Sequence, residues 1–344
     1  MKARSPLSPI VECLRRVLTG DDLAASEMHV IVTDMMTGDA TAAQAAALLV
    51  ALAAKGETVE EITGAARALR AGALRVETTR RPIVDVCGTG GDGSGSFNVS
   101  TAVALVVAGA GVALAKHGNR AVTGRCGSAD VLAELGVTLD ATPASAARSL
   151  EQHGIAFLFA PLYHPSMRHI ALVRREIGVS TLFNVLGPLA NPAGAQRQLV
   201  GVAQRSRLRL VTESLARLGS ERAAAVRGED GLDEFSLCGP SRIVEWNGST
   251  IREYVRDPLD FGMKLQPRSA IAGGDARHNA RVIRRVLDGA AGAHRDVVVL
   301  NAGLALEIAG AAGSMADGCD LARSSIDSGA ARGKLDALLE ASRR

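Results

Sequence analysis

An apolar, strand-like run, Ile83-Val84-Asp85-Val86-Cys87, passes directly into Gly88-Thr89-Gly90-Gly91-Asp92-Gly93-Ser94-Gly95-Ser96 and then, through Phe97-Asn98-Val99-Ser100-Thr101, into an apolar helix. Strand, glycine loop and helix in that order make an anion cradle. Glycines take up positive φ freely and let the backbone approach a bulky polyanion, while the helix start aims unpaired amides and the positive end of its dipole at the same spot. Phosphate is the natural guest. No Gly-Lys-Ser/Thr follows as in a P-loop, and the spacing departs from the dinucleotide pattern Gly-x-Gly-x-x-Gly, so nucleotide hydrolases and dehydrogenases are disfavoured.

With 37 glycines in 344 residues, a glycine turn alone carries little weight. Three neighbours add to it: Asp92; the polar set Asn98, Ser100 and Thr101 at the helix start; and Lys116-His117-Gly118-Asn119-Arg120, which follows a second apolar strand. Lys116 offers a point charge for phosphate or pyrophosphate, and Asn119 a donor and an acceptor for a planar polar substrate.

Around this core the chain divides in two. Through about residue 73 apolar residues recur at helical spacing, with Gly20, Gly38 and Gly56 at the breaks and a Thr58/Glu61 capping box. At Arg80-Arg81-Pro82 the period changes. Strands are expected at 83–87, 112–115, 155–159, 198–202, 222–226 and 296–300. Helices are expected near 99–109, 127–135, 143–153 and 164–178, and the stretch 181–188 should end in a loop. Arg242–Trp246 and Ser249–Tyr254 flank Asn247-Gly248 as a hairpin. The fold class is therefore α/β: a small N-terminal helical domain (1–75) and a large domain (76–344) with a mainly parallel central sheet flanked by helices. Ligands of such sheets bind beyond the C-terminal ends of the strands, where the glycine loop lies.

Charge narrows the partners. Lys and Arg total 39 against 36 acids and are scattered, which excludes a nucleic-acid stripe or a membrane-binding face. Ser5-Pro6-Leu7-Ser8-Pro9 stands where an export signal needs its apolar centre. The uncharged run Ser96–Ala115 is broken by Gly109 and Gly111 and reads as buried rather than membrane-spanning. Cys13, Cys87, Cys126, Cys238 and Cys319 form no metal or disulfide pattern, as suits a reducing cytoplasm.

Glu229, Asp230, Asp233 and Glu234 surround Gly228 and Gly231 in a loop after a strand. Adjacent Asp233-Glu234 suits a hard cation, and magnesium takes one or two carboxylates while waters and substrate phosphates complete its shell. Arg174 or Arg175 could pair with a substrate carboxylate; sequence does not choose between them. His117, His164 and His169 have no Ser or Cys in a triad arrangement and read as structural or orienting groups.

Together, Gly88–Asp92, Phe97–Thr101, Lys116–Arg120, Gly127-Ser128-Ala129-Asp130, Phe183–Pro192 and Gly228–Glu234 resemble the anthranilate phosphoribosyltransferase family over nearly the whole chain. The resemblance implies a class III phosphoribosyltransferase fold, shared with pyrimidine nucleoside phosphorylases, in which helices at about 164–190 rejoin the small domain and homodimers form through it. It implies transfer of the 5-phosphoribosyl group from phosphoribosyl pyrophosphate to the amine of anthranilate in tryptophan biosynthesis. Gly88, Gly91, Asp92, Ser96, Asn98, Ser100, Thr101, Lys116 and Ser128 would contact phosphoribosyl pyrophosphate; Gly88, Asn119 and Arg174 would contact anthranilate. Ser100, Asp233 and Glu234 would hold Mg2+, as two ions, and Lys116 would carry leaving-group charge with no residue acting as general acid or base. The sequence departs from the family pattern at Thr123-Gly124-Arg125-Cys126, where a phosphate-binding hydroxyl is missing at Gly124. Ser96 replaces a usual threonine, Arg227 a histidine and Leu172 a proline. A pyrimidine nucleoside phosphorylase-like enzyme is the nearest alternative, and a non-catalytic nucleic-acid-binding relative the next. Asn119 with Arg174 speaks against the first, and the metal carboxylates without a basic stripe against the second.

Overall fold

The computed structural model describes residues 8–121 and 124–342; Thr123 lies outside them. The chain forms two compact units, Met1–Leu74 with His164–Ala190, and Arg75–Tyr163 with Asn191–Arg344.

The first unit is entirely helical. Helices α1 (Pro9–Leu18), α2 (Ala25–Thr37), α3 (Ala42–Lys55) and α4 (Val59–Ala71) are joined by short turns, with Gly20, Gly38 and Gly56 all at positive φ. The capping box holds α4: Thr58 Oγ1 accepts from the Glu61 amide, and Glu61 Oε2 accepts from the Thr58 amide at 2.8 Å. Helices Arg168–Ile177 and Phe183–Leu189 complete the unit. The second of these replaces the expected loop, because Pro188 lies in its last turn and leaves the earlier residues free to coil. Arg70 Nε donates to the Leu189 carbonyl at 2.6 Å. His164 is buried, bonds the main chain of Ala190 and Leu69, and is pulled down to about 4 by desolvation. Released by unfolding, its ring would titrate near 6.5. The unfolded chain therefore binds the extra proton between about pH 4 and 6.5, so this contribution to stability is complete above that window and lost as pH falls through it. Thermal midpoints at pH 7 and pH 5 should differ more for the native chain than for His164→Asn.

The second unit is built on seven strands in the order β3-β2-β1-β4-β5-β6-β7. Strands β1 (Val84–Gly88), β2 (Leu114–Gly118), β3 (Ile155–Phe159), β4 (Arg197–Gly201) and β5 (Arg222–Gly228) are parallel, whereas β6 (Ser241–Trp246) and β7 (Ile251–Arg256) form the expected antiparallel hairpin. The sheet is mainly parallel, as the alternating pattern predicts. Helix α5 (Val99–Gly109) follows β1, and α6 (Ser128–Leu135) and α7 (Pro143–His153) both follow β2; α5 is buried along nearly all its length. Among the described residues no helix is long and apolar enough to cross a membrane.

Two further expectations need correction. The strand expected at 296–300 is the middle of a helix, Ala293–Ala309, enclosed from Val297 through Ala309. A β-branched run buried on all sides gives no period, so periodicity alone does not separate strand from helix here. Strand β2 begins at Leu114 rather than Val112 and runs through Gly118, paired with β3 over its full length. Lys116 and His117 are thus strand residues, not residues of the loop beyond it.

The chain winds from β1 outward to β2 and β3, then returns to β4 on the other side of β1. The order reverses between β1 and β4, and at their C-terminal ends the diverging loops leave a crevice.

Candidate active site

The glycine loop rises from β1 into this crevice. Gly90, Gly91, Gly93 and Gly95 all have positive φ, and no atom stands within 4 Å of where their β-carbons would be. The loop is therefore open above and folded by its own polar groups below. Asp92 Oδ1 accepts from the Ser94 amide at 3.0 Å, Ser94 Oγ donates to Ser96 Oγ at 3.1 Å, and Asp92 Oδ2 accepts from the Asp233 amide at 3.2 Å. Asp233 replies across the crevice, its Oδ2 accepting from the Gly90 amide at 3.1 Å.

These two aspartates tie the loop after β1 to the loop after β5. The approach is so close that a β-carbon on Gly201, at the end of β4, would collide with the Asp233 carbonyl, and one on Gly88 would sit 3.0 Å from Asp233 Oδ2. Gly201→Ala should destabilise the fold by about 1–3 kcal/mol through forced backbone displacement, read as a lower denaturant midpoint.

Lys116 lies beneath the loop, 4% exposed. Its Nζ donates to the Val86 carbonyl at 2.7 Å and to Ser100 Oγ at 3.2 Å. Burial lowers its pKa, while Asp85, Cys87 and Glu234 oppose the loss of its proton. Glu234 accepts from the Ser100 amide in the first turn of α5 and is pushed well above the usual carboxylate range by burial and by Asp233. Burial, with the Asp92 carboxylate, likewise pushes Asp233 up to about 7. The two acids thus crowd each other, and Glu234 also feels the Lys116 ammonium.

A hard dication fits this donor set. It would compensate the desolvation and mutual repulsion that hold both acids above their ordinary values. Among the described residues no three His, Cys, Asp or Glu side chains form a ready cage, so an ion held here would need water or substrate phosphates to complete its shell.

Of the other predicted contacts, Asn98 makes one hydrogen bond at each end of its carboxamide and keeps a donor and a lone pair to spare. Its Nδ2 donates to the Cys126 carbonyl at 3.0 Å and its Oδ1 accepts from Asn279 Nδ2 at 2.9 Å. Ser128 opens α6 and its Oγ donates to the Asn119 carbonyl at 3.3 Å. Thr101 is enclosed at 1% exposure and forms part of the wall. The Arg174 guanidinium is half-buried in the helical unit, 5.2 Å from the centre of the Phe183 ring, and Arg175 is exposed. The two neighbouring arginines thus have different surroundings.

Residues 11–73 match the glycosyl transferase family, helical bundle domain, and residues 80–332 the glycosyl transferase family, a/b domain. An anthranilate phosphoribosyltransferase of Pelotomaculum thermopropionicum is 50% identical over 331 residues, which cover 96% of each chain. The chain belongs to the anthranilate phosphoribosyltransferase family. Among solved members, the Thermus thermophilus anthranilate phosphoribosyltransferase superposes with a TM-score of 0.91 at 43% identity, covering 96% of this chain and 99% of that one. A Saccharomyces cerevisiae anthranilate phosphoribosyltransferase in complex with PRPP and Mg superposes with a TM-score of 0.88 at 25% identity, covering 97% and 98%.

In this member of the anthranilate phosphoribosyltransferase family, several supporting residues escape a reading of the sequence. The Ile271–Gly274 segment clamps the glycine loop: Phe97 N–H donates to the Ile271 carbonyl and Gly273 N–H to the Gly95 carbonyl at 2.8 Å. A β-carbon on Gly273 would meet the Phe97 backbone at 2.7 Å. The available signal is Gly273-Gly274 just before a helix capped by Asp275. Asn301, set among apolar neighbours, accepts from the Phe235 amide and donates to the Phe235 carbonyl, fixing the residue after Glu234. Among the family departures, Arg227 donates to the carbonyls of Ala203 and Gly228, at 2.9 and 3.1 Å. It thereby ties β5 to the segment after β4. Leu172 is exposed.

Proposed function

We propose that this chain transfers the 5-phosphoribosyl group of phosphoribosyl pyrophosphate to the anthranilate amine, yielding N-(5-phosphoribosyl)anthranilate and pyrophosphate in tryptophan biosynthesis. The observation that carries the reading is the convergence of an open glycine loop, the buried Lys116 ammonium and the Asp233-Glu234 pair at the C-terminal end of the sheet.

In this reading Gly88, Gly91, Asp92, Ser96, Asn98, Ser100, Thr101, Lys116 and Ser128 form the phosphoribosyl pyrophosphate site. Ser100, Asp233 and Glu234 would hold magnesium, as two ions, which supplies positive charge to the departing pyrophosphate. The bond from C1 to the pyrophosphate oxygen breaks while the amine nitrogen bonds to C1, and the nitrogen then loses its proton to water or to pyrophosphate. An aromatic amine is already neutral at about pH 7, so no strong base is required. Catalysis rests on positioning and on neutralising the leaving group, where Lys116 acts. Gly88, Asn119 and Arg174 would orient anthranilate.

Arg174→Gln should raise the KM for anthranilate roughly ten- to a hundredfold, the magnitude of a lost hydrogen bond to a charged group. Its kcat should change little, because the carboxylate is bound alike in ground and transition states.

Homodimerisation through the helical unit is supported by α3, whose exposed Ala43, Ala47, Val50 and Ala54 recur at helical spacing. Five unpaired cysteines suit the cytoplasm.

The test is the loss of anthranilate fluorescence in the purified protein. Loss that requires both phosphoribosyl pyrophosphate and magnesium supports the assignment; an unconsumed amine under those conditions refutes it.

A further inference from the structure

Strand β1 carries a carboxylate where a parallel strand covered on both faces ordinarily carries apolar side chains. Asp85 is wholly enclosed, and burial pushes it up to about 6 although Lys116 favours its charge. Such a group is expensive unless its lone pairs are used. Here they are: Oδ1 accepts from the His117 amide at 3.3 Å, and Oδ2 accepts from Asn191 Nδ2 at 2.8 Å. Asn191, 4% exposed, gives its amide group also to the Ala115 carbonyl at 2.8 Å, while its Oδ1 accepts from the Ala193 amide at 2.9 Å.

These bonds fall on the two neighbours of Lys116. The β1–β2 pairing registers only Val84 with Leu114, whereas β2 stays paired with β3 through Gly118. Beyond Leu114 the side chains of Asp85 and Asn191 take the place of the missing ladder, one holding the amide after Lys116 and the other the carbonyl before it. The lysine's backbone is thus fixed toward β1, and its Nζ closes the bracket on the Val86 carbonyl.

We infer that Asp85 and Asn191 are positioning residues that act through Lys116, setting the ammonium against the pyrophosphate of the donor. The inference rests on the proposed role of Lys116 and adds two residues that would never touch substrate. Asn119, three residues further on, is held separately, its carbonyl accepting from Ala129 N–H and Ser128 Oγ, so the acceptor site should be spared.

The experiment measures Asp85→Asn, Asn191→Ala and the double variant with both substrates and saturating magnesium. Asp85→Asn preserves shape but turns an amide donor toward a donor. Asn191→Ala gives the same reading should the first variant not fold. In each, kcat/KM for phosphoribosyl pyrophosphate should fall roughly ten- to a hundredfold, and inhibition by added pyrophosphate should weaken in step. The KM for anthranilate should stay within about twofold, and the double variant should be no worse than the poorer single one. A folded variant that keeps native kcat/KM overturns the inference, as does an equal rise in both KM values, the mark of general loosening. Failure of the native protein to consume anthranilate strikes the proposed function instead.

Discussion

Asp233→Asn combined with Glu234→Gln should lower turnover about a hundredfold or more at limiting magnesium, with the loss partly recovered as magnesium is raised. The amides keep nearly the same volume, and the carboxamide oxygen introduced at position 233 can still accept from the Gly90 amide, so the loop tie survives. What disappears is negative charge. The native acids are held far above their ordinary values by burial and by neighbouring carboxylates, a condition that a bound dication relieves. The variants should therefore be as stable as the native protein without magnesium, or more so, and should gain less thermal stability when magnesium is added. Melting curves with and without the ion, beside initial rates across a magnesium titration, check both parts. Unchanged magnesium dependence would remove these carboxylates from the metal site.

Lys116→Met should cost roughly a hundred- to a thousandfold in kcat/KM for phosphoribosyl pyrophosphate, the effect of deleting one preorganised charge that meets a developing anion. Methionine fills the same channel without a charge to desolvate, so the fold should be retained. Lys116→Arg should not rescue. The site is enclosed and its acceptors, the Val86 carbonyl and Ser100 Oγ, are arranged around a single nitrogen; a planar guanidinium needs more room and a different fan of partners. Steady-state kinetics with each substrate varied in turn would read both variants. Native activity in Lys116→Met would place leaving-group charge elsewhere.

Local chemistry accounts for what is legible in the sequence. The glycine loop, the strand before it and the helix after it are specified by neighbours in the chain, and so are the Thr58/Glu61 cap and the Asn247-Gly248 hairpin. Helix Ala293–Ala309 reads in part as a strand because its identity depends on being enclosed on every side, a tertiary fact that erases periodicity. The stacking of Arg174 on the Phe183 ring, and the closeness of Gly201 to the carbonyl of Asp233, are set by tertiary packing. Asp85 stands in plain view as an acid within Val84-Asp85-Val86, yet its partners Asn191 and His117 become adjacent only when the sheet closes around β1. Long-range hydrogen bonds of this kind leave a residue type as their trace, never a partner.

The antiparallel pairing of β6 with β5 has a practical corollary. Trp246 stands opposite Ala223, at the start of β5, so the bend at Asn247–Thr250 leaves from the rim of the sheet opposite the crevice. It is also three strands away from β1 laterally, roughly 14 Å at ordinary strand spacing. A fluorophore, affinity peptide or surface tether grafted there would sit at the end of the sheet remote from the glycine loop.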